Sequence, residues 1–163
     1  MLRPRAVLLP VLLVAGAGVL SGCSSTVALE PPADANDPRC ADVMVRLPEV
    51  FESHERRWTD AQSTASWGDP SAVIIACGVT PPGPSTLPCQ TVSGIDWIID
   101  DTDAPMYRLT TYGRVPAIEI LVDNDTASSS GPVDTVSRLI TDEFDVESQC
   151  TTLDEATPVP DAP

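Results

Sequence analysis

Apolar residues fall into distinct patterns along the chain. Residues 6–20 (AVLLPVLLVAGAGVL) form one uncharged apolar run. Further on, Asp37-Pro38 reads as a helix start. Cys40, Val43, Met44 and Leu47 then recur at i, i+3, i+4 and i+7, which is one face of a helix. Pro48 interrupts that face, and residues 49–59 (EVFESHERRWT) suit helix and strand alike. After a turn at Trp67-Gly68-Asp69-Pro70, residues 72–76 (AVIIA) predict a short strand covered on both faces. Residues 94–99 (GIDWII) predict another strand, and 106–112 alternate loosely. Ile118, Ile120 and Val122 point one way and Glu119 the other, with Pro116 implying an edge or bulged strand. Pro132 opens a second helix whose stripe is Val133, Val136, Leu139, Ile140 and Phe144, and Asp134 in its first turn suits the helix dipole. The expected fold is α+β: a small, mostly antiparallel sheet with N- and C-terminal helices packed on one face.

The first apolar run has a different meaning from the others. Fifteen residues span about 22 Å as a helix, short of the roughly 30 Å of bilayer hydrocarbon, and Pro10 weakens that helix. Arg3 and Arg5 precede it, and Leu20-Ser21-Gly22-Cys23 closes it. That arrangement reads as a cleavable secretory signal over residues 1–22. Its end resembles the lipobox of bacterial lipoproteins. The resemblance implies that the Cys23 thiol takes a diacylglyceryl group and becomes the new N-terminus, anchoring the chain to a lipid bilayer. An ordinary secretory signal with Cys23 left as a bare thiol is the alternative. Two acyl chains make such an anchor durable, since each buried CH₂ contributes about 0.8 kcal/mol.

Cysteine counting supports the anchor. Of Cys23, Cys40, Cys77, Cys89 and Cys150, lipidation removes one and leaves an even four for two disulfides. Four cysteines allow three connectivities. The expected one joins Cys77 to Cys89 across the loop GVTPPGPSTLP, and Cys40 to Cys150 across the ends of the domain. Zinc is disfavoured, because there is no C-x-x-C pair and His54 is the single histidine.

Processing at Cys23 would leave 141 of 163 residues, one domain's worth. Losing Arg3 and Arg5 takes the net charge from −15 to −17, with no lysine anywhere. So acidic a body lacks the basic stripes that nucleic-acid binding needs, and no nucleic-acid partner is expected. Residues 23–38 read as a flexible membrane tether, with the domain over 39–150 and a disordered acidic, proline-rich tail over 151–163.

The residues offer little catalytic chemistry. His54 sits among acids and arginines without a G-x-S-x-G elbow and is expected to be an exposed polar residue. With 24 acids, pairs suitable for glycoside hydrolysis arise by chance. Asp100, Asp101 and Asp103 in one turn, with Asp123 and Asp125 in another, offer hard oxygen ligands for Ca²⁺. Neither turn matches the twelve-residue calcium loop, so solvated turn acids are favoured and no metal or cofactor is expected. Trp67, Trp97, Tyr112 and Arg114 have the composition of an interaction surface. The plainer expectation is that the tryptophans are core and Arg114 pairs with an acid.

The lipobox, WGDP (67–70), Cys77-Gly78-Val79, Cys89, GIDW (94–97) and TYGRVPA (111–117) together resemble a family of short actinobacterial secreted lipoproteins classed as a domain of unknown function. That resemblance covers roughly 39–150 and carries no catalytic residue or cofactor to transfer. It implies an address on the outer leaflet of the cytoplasmic membrane in a Gram-positive-type envelope. The functional expectation is a non-catalytic module that binds or scaffolds an unidentified envelope protein or ligand. Capture of a small molecule or Ca²⁺ is the alternative, and a carboxylate-dependent hydrolase is the third class.

Overall fold

A computed structural model describes residues 26–151. Residues 1–25 and 152–163 lie outside the described part, and with them the expected signal segment, Cys23 and nearly all of the expected tail. Helix α1 (Pro38–Arg46) starts where the Asp37 carboxylate accepts the Arg39 N–H, with proline in its first turn, and it buries Cys40 and Val43. Strands β1 (Val50–Phe51) and β2 (His54–Arg57) form a small hairpin, which resolves the ambiguous stretch. Next come β3 (Thr64–Trp67), β4 (Val73–Val79), β5 (Cys89–Val92), β6 (Ile95–Asp100) and β7 (Met106–Thr111). The chain continues through β8 (Arg114–Val115), β9 (Ala117–Asp123), helix α2 (Ser130–Ile140) and β10 (Asp145–Val146).

The main sheet has eight antiparallel strands in the order β1-β2-β3-β4-β9-β7-β6-β5, and β8 pairs separately with β10. Alternation decides which side is core. Val73, Ile75 and Cys77 of β4 are buried while Ile74 and Ala76 are half-buried, and β9 repeats the pattern with Ile118, Ile120 and Val122. Cys77 pairs in register with Ile118, whose N–H donates to Thr111 Oγ1, and Thr111 pairs with Trp97. This row meets both helices: Cys77 is bonded to Cys40 of α1, and Trp97 Nε1 donates to Ser137 Oγ of α2 at 2.9 Å.

Three expectations change. First, β9 is central, hydrogen-bonded to β4 on one side and β7 on the other. Pro116 falls just before the strand, so its missing N–H is never asked for in the ladder, and the register shift lies opposite, between Cys77 and Val79. Secondly, the disulfides are Cys40–Cys77 and Cys89–Cys150, with Cα separations of 5.4 and 6.4 Å. The expected Cys77–Cys89 bond is ruled out by topology: β4 and β5 stand four strand places apart, about 19 Å, far beyond a disulfide's reach. Thirdly, residues 26–37, expected within a tether, are bonded to the domain. Val27 bridges to Thr59, Asp34 N–H donates to Gly78 O at 2.8 Å, and Ser63 Oγ donates to Ala35 O at 2.6 Å. Gly78 has φ +94°, and a Cβ there would strike the Asp34 backbone, so only glycine lets the segment lie this close.

Candidate functional site

Among the described residues the only exposed aromatic is Trp58, 79% exposed at the end of β2, a residue the sequence reading had passed over. Its backbone is bonded to the neighbouring chain although the residue is exposed. Val27 N–H donates to Trp58 O at 2.8 Å, Asp60 N–H returns to Val27 O at 3.2 Å, and Leu29 N–H donates to Asp60 Oδ1 at 2.8 Å. Across a groove of about 510 Å³ stands Val45 of α1, 78% exposed, with Met44, Glu49, Arg56, Arg57, Thr59 and Thr64 completing the lining. The Arg56 guanidinium donates to Met44 O at 3.1 Å and Leu47 O at 3.3 Å and lies 5.6 Å from the Trp67 ring. It caps the carbonyl end of α1, where the helix dipole favours a cation.

The opposite end of the sheet is closed by the chain's C-terminal stretch. Arg114 is buried and donates to Phe144 O at 2.8 Å and Gly94 O at 3.2 Å, so carbonyls take the place of the expected acid. Both Asp96 oxygens are engaged: Oδ1 accepts the Thr91 hydroxyl at 2.6 Å and Oδ2 accepts the Cys150 N–H at 2.8 Å. Two polar hollows here, of about 410 and 240 Å³, share Thr91, Tyr112 and Gln149. A third groove, about 460 Å³, runs between α2 and β5–β7 over Val92, Ile99, Tyr107, Leu109 and Val133.

The structure scatters the sequence-predicted candidates. Trp67 and Trp97 are wholly buried, at 0% exposure, and their indole N–H groups are spent on Pro48 O and Ser137 Oγ. They are core residues and cannot form a surface with Tyr112, which is half-buried, or with Arg114. His54 is half-buried on β2, with Nδ1 enclosed and lacking a hydrogen-bond partner, instead of exposed. The acidic turns do approach each other, since Asn124 N–H donates to Pro105 O. Their carboxylates nevertheless serve their own turns. Asp100 Oδ1 accepts both the hydroxyl and the N–H of Thr102, which holds its pKa below the ordinary value, and Asp123 Oδ1 accepts the Asp125 N–H. Among the described residues no three His, Cys, Asp or Glu side chains, Asp101 and Asp103 included, converge to hold a metal.

No helix among the described residues is long and apolar enough to cross a membrane. Residues 4–149 match the model of a family described as "Protein of unknown function (DUF3515)". No curated protein and no solved structure matches the chain.

Proposed function

The chain belongs to this DUF3515 family of proteins of unknown function, and from that premise we propose that it is a lipid-anchored envelope module without catalytic activity of its own. Its domain binds or scaffolds another component at the outer face of the cytoplasmic membrane. The observation that carries this reading is the cysteine pairing. Cys40, Cys77, Cys89 and Cys150 satisfy one another, so Cys23 is left without a disulfide partner in its own chain, at the end of an apolar leader and a lipobox-like Leu-Ser-Gly-Cys. The family match begins at residue 4 and therefore takes in that leader together with the domain. Two disulfides also suit an oxidising compartment outside the cytoplasm.

The test is the mass of the protein purified from bacterial membranes, together with incorporation of labelled palmitate. A chain beginning at acylated Cys23, with labelling abolished in Cys23→Ala, is the expected result. A bare Cys23 or a retained leader overturns the anchor. Crosslinking in the intact envelope addresses the binding role, and turnover of wall or lipid substrates by the purified protein would overturn the non-catalytic assignment.

A second reading, capture of a small apolar ligand, is favoured by the groove under α2. Its volume lies within the ordinary range for ligand sites, and its apolar floor is bordered by Gln90, Asn124, Ser129 and Asp134. A ligand-dependent rise in melting temperature, lost in Val133→Asp, distinguishes it from a pure scaffold.

A further inference from the structure

We propose that the face carrying Trp58 and Val45 rests on the lipid surface, holding the domain against the membrane in one orientation. The inference builds on the Cys23 anchor and adds which side of the domain meets the bilayer.

The first support is the length of the leash. Cys23 precedes Val27 by four residues, which span at most about 14 Å fully extended. Val27 is bonded at both N–H and C=O to the backbone of Trp58 and Asp60. The expected tether, with residues 24–38 as a coil between Cys23 and the domain, would reach about 20 Å on average and leave every face of the domain free to turn toward the lipid. With residues 26–37 bonded to the domain, the anchor is delivered beside the Trp58 edge.

The second support is what that edge presents. Trp58 is 79% exposed and Val45 78%, the two most exposed large apolar side chains among the described residues. The remaining tryptophans, Trp67 and Trp97, are fully buried. Indole, with an apolar body and one N–H, is suited to the headgroup boundary of a bilayer. One tryptophan and one valine make a weak membrane ligand when free in solution. A leash of four residues makes their encounter with lipid intramolecular, and the high effective concentration turns a weak contact into a maintained one.

Charge does not drive this contact. The chain after Cys23 is strongly acidic, and the nearby arginines are committed within the domain: Arg46 to Glu143 at 2.8 Å, Arg56 to the carbonyl end of α1, and Arg57 to Gly68 O and Asp69, each at 3.1 Å. Glu49 also lines the groove. Seating therefore needs no anionic lipid, which would repel so acidic a body, and added salt should not weaken it.

The test uses the chain from Cys23 to Pro163 with both disulfides intact, coupled through the Cys23 thiol to a maleimide lipid in phosphatidylcholine vesicles. Before vesicles are added, acrylamide should quench Trp58 and spare Trp67 and Trp97. On vesicles with brominated acyl chains the same emission component should be quenched by the lipid, and its acrylamide quenching should fall at least three-fold. Trp58→Ala should abolish lipid quenching, and Val45→Asp should reduce it several-fold; near-UV dichroism from the two buried tryptophans verifies folding in each. Trp58 that stays open to acrylamide and untouched by brominated lipid overturns the proposal. So does shielding of Trp58 that rises with protein concentration in the absence of lipid, which identifies a second copy of the chain as the occupant. Coupling is chemical, so the outcome is separate from whether the bacterium acylates Cys23, which the mass of the native chain decides.

Discussion

The two disulfides should respond to reductant on different timescales. Cys40 and Cys77 have no exposed surface, whereas Cys89 and Cys150 are half-buried at the outer end of the sheet. A thiolate can attack the outer bond in the folded state but reaches the inner one only after the domain opens. An opening that costs about 4 kcal/mol slows attack about a thousand-fold, and global unfolding costs more. Graded reduction, trapping with one alkylating reagent, unfolding, full reduction and a second reagent then read the order. The chain has no lysine, so trypsin releases residues 58–108 as one peptide carrying both Cys77 and Cys89. Cys89 and Cys150 should take the first label, and Cys77 and Cys40 the second. Identical labels on Cys77 and Cys89 at every stage would refute both the connectivity and the burial argument. Loss of either bond should also be costly. The loop-entropy relation gives about 3.8 kcal/mol for the 37-residue separation and about 4.3 kcal/mol for the 61-residue one. Denaturant midpoints of Cys40→Ala/Cys77→Ala and Cys89→Ala/Cys150→Ala check this, and the first pair should lose more than its loop value because it also empties a core site.

Ser137→Ala strands the buried Trp97 N–H and should cost about 1–3 kcal/mol in chemical denaturation, with Trp97→Phe recovering part of it in the double variant; additive losses would show the bond to be immaterial. Gly94 and Gly113 both have positive φ, but a Cβ at Gly94 meets nothing while one at Gly113 collides with the Ser148 backbone. Gly94→Ala should therefore cost about 1–2 kcal/mol and Gly113→Ala clearly more, with opening of the β8–β10 pair visible in hydrogen exchange; equal effects would argue against the close approach. Asp37→Ala removes the cap of α1 and should cost about 1 kcal/mol near neutral pH. The Arg39 side chain holds the Asp37 pKa below 3.8, so its contribution is present above that value and vanishes as pH falls through the lower folded pKa. Wild type and variant should converge in strongly acidic solution, and a gap that persists there would refute the ionic cap.

Helix α1 was legible almost to its ends. Asp37 and Pro38 are local start signals, and the repeat from Cys40 to Leu47 has one physical interpretation. The strand at Ile118, Ile120 and Val122 was equally plain, because Glu119 falls on the opposite face and completes the alternation. Strands β3 and β5 were not legible. Thr64–Trp67 is buried through its neighbours β2 and β4, and Cys89–Val92 is an edge strand with little apolar content. Trp67 and Trp97 were candidates for a surface because composition alone cannot tell a buried indole from an exposed one. The signal that could have identified Trp58 is its position after Glu55-Arg56-Arg57, a charged stretch that leaves the ring no apolar neighbours along the chain.

The sequence alone determined what is written in neighbouring residues: an apolar run closing on Leu20-Ser21-Gly22-Cys23, an odd cysteine count, a strongly acidic chain, two amphipathic helices and the alternation of the central strands. Tertiary structure decided what depends on residues far apart in the chain. Strand order put four places between Cys77 and Cys89 and so selected their partners. Packing buried two tryptophans, left the third in solvent, and drew residues 26–37 onto the domain. Periodicity and capping are set within one or two turns of chain. Disulfide choice and exposure are set by distances in space that no local pattern encodes.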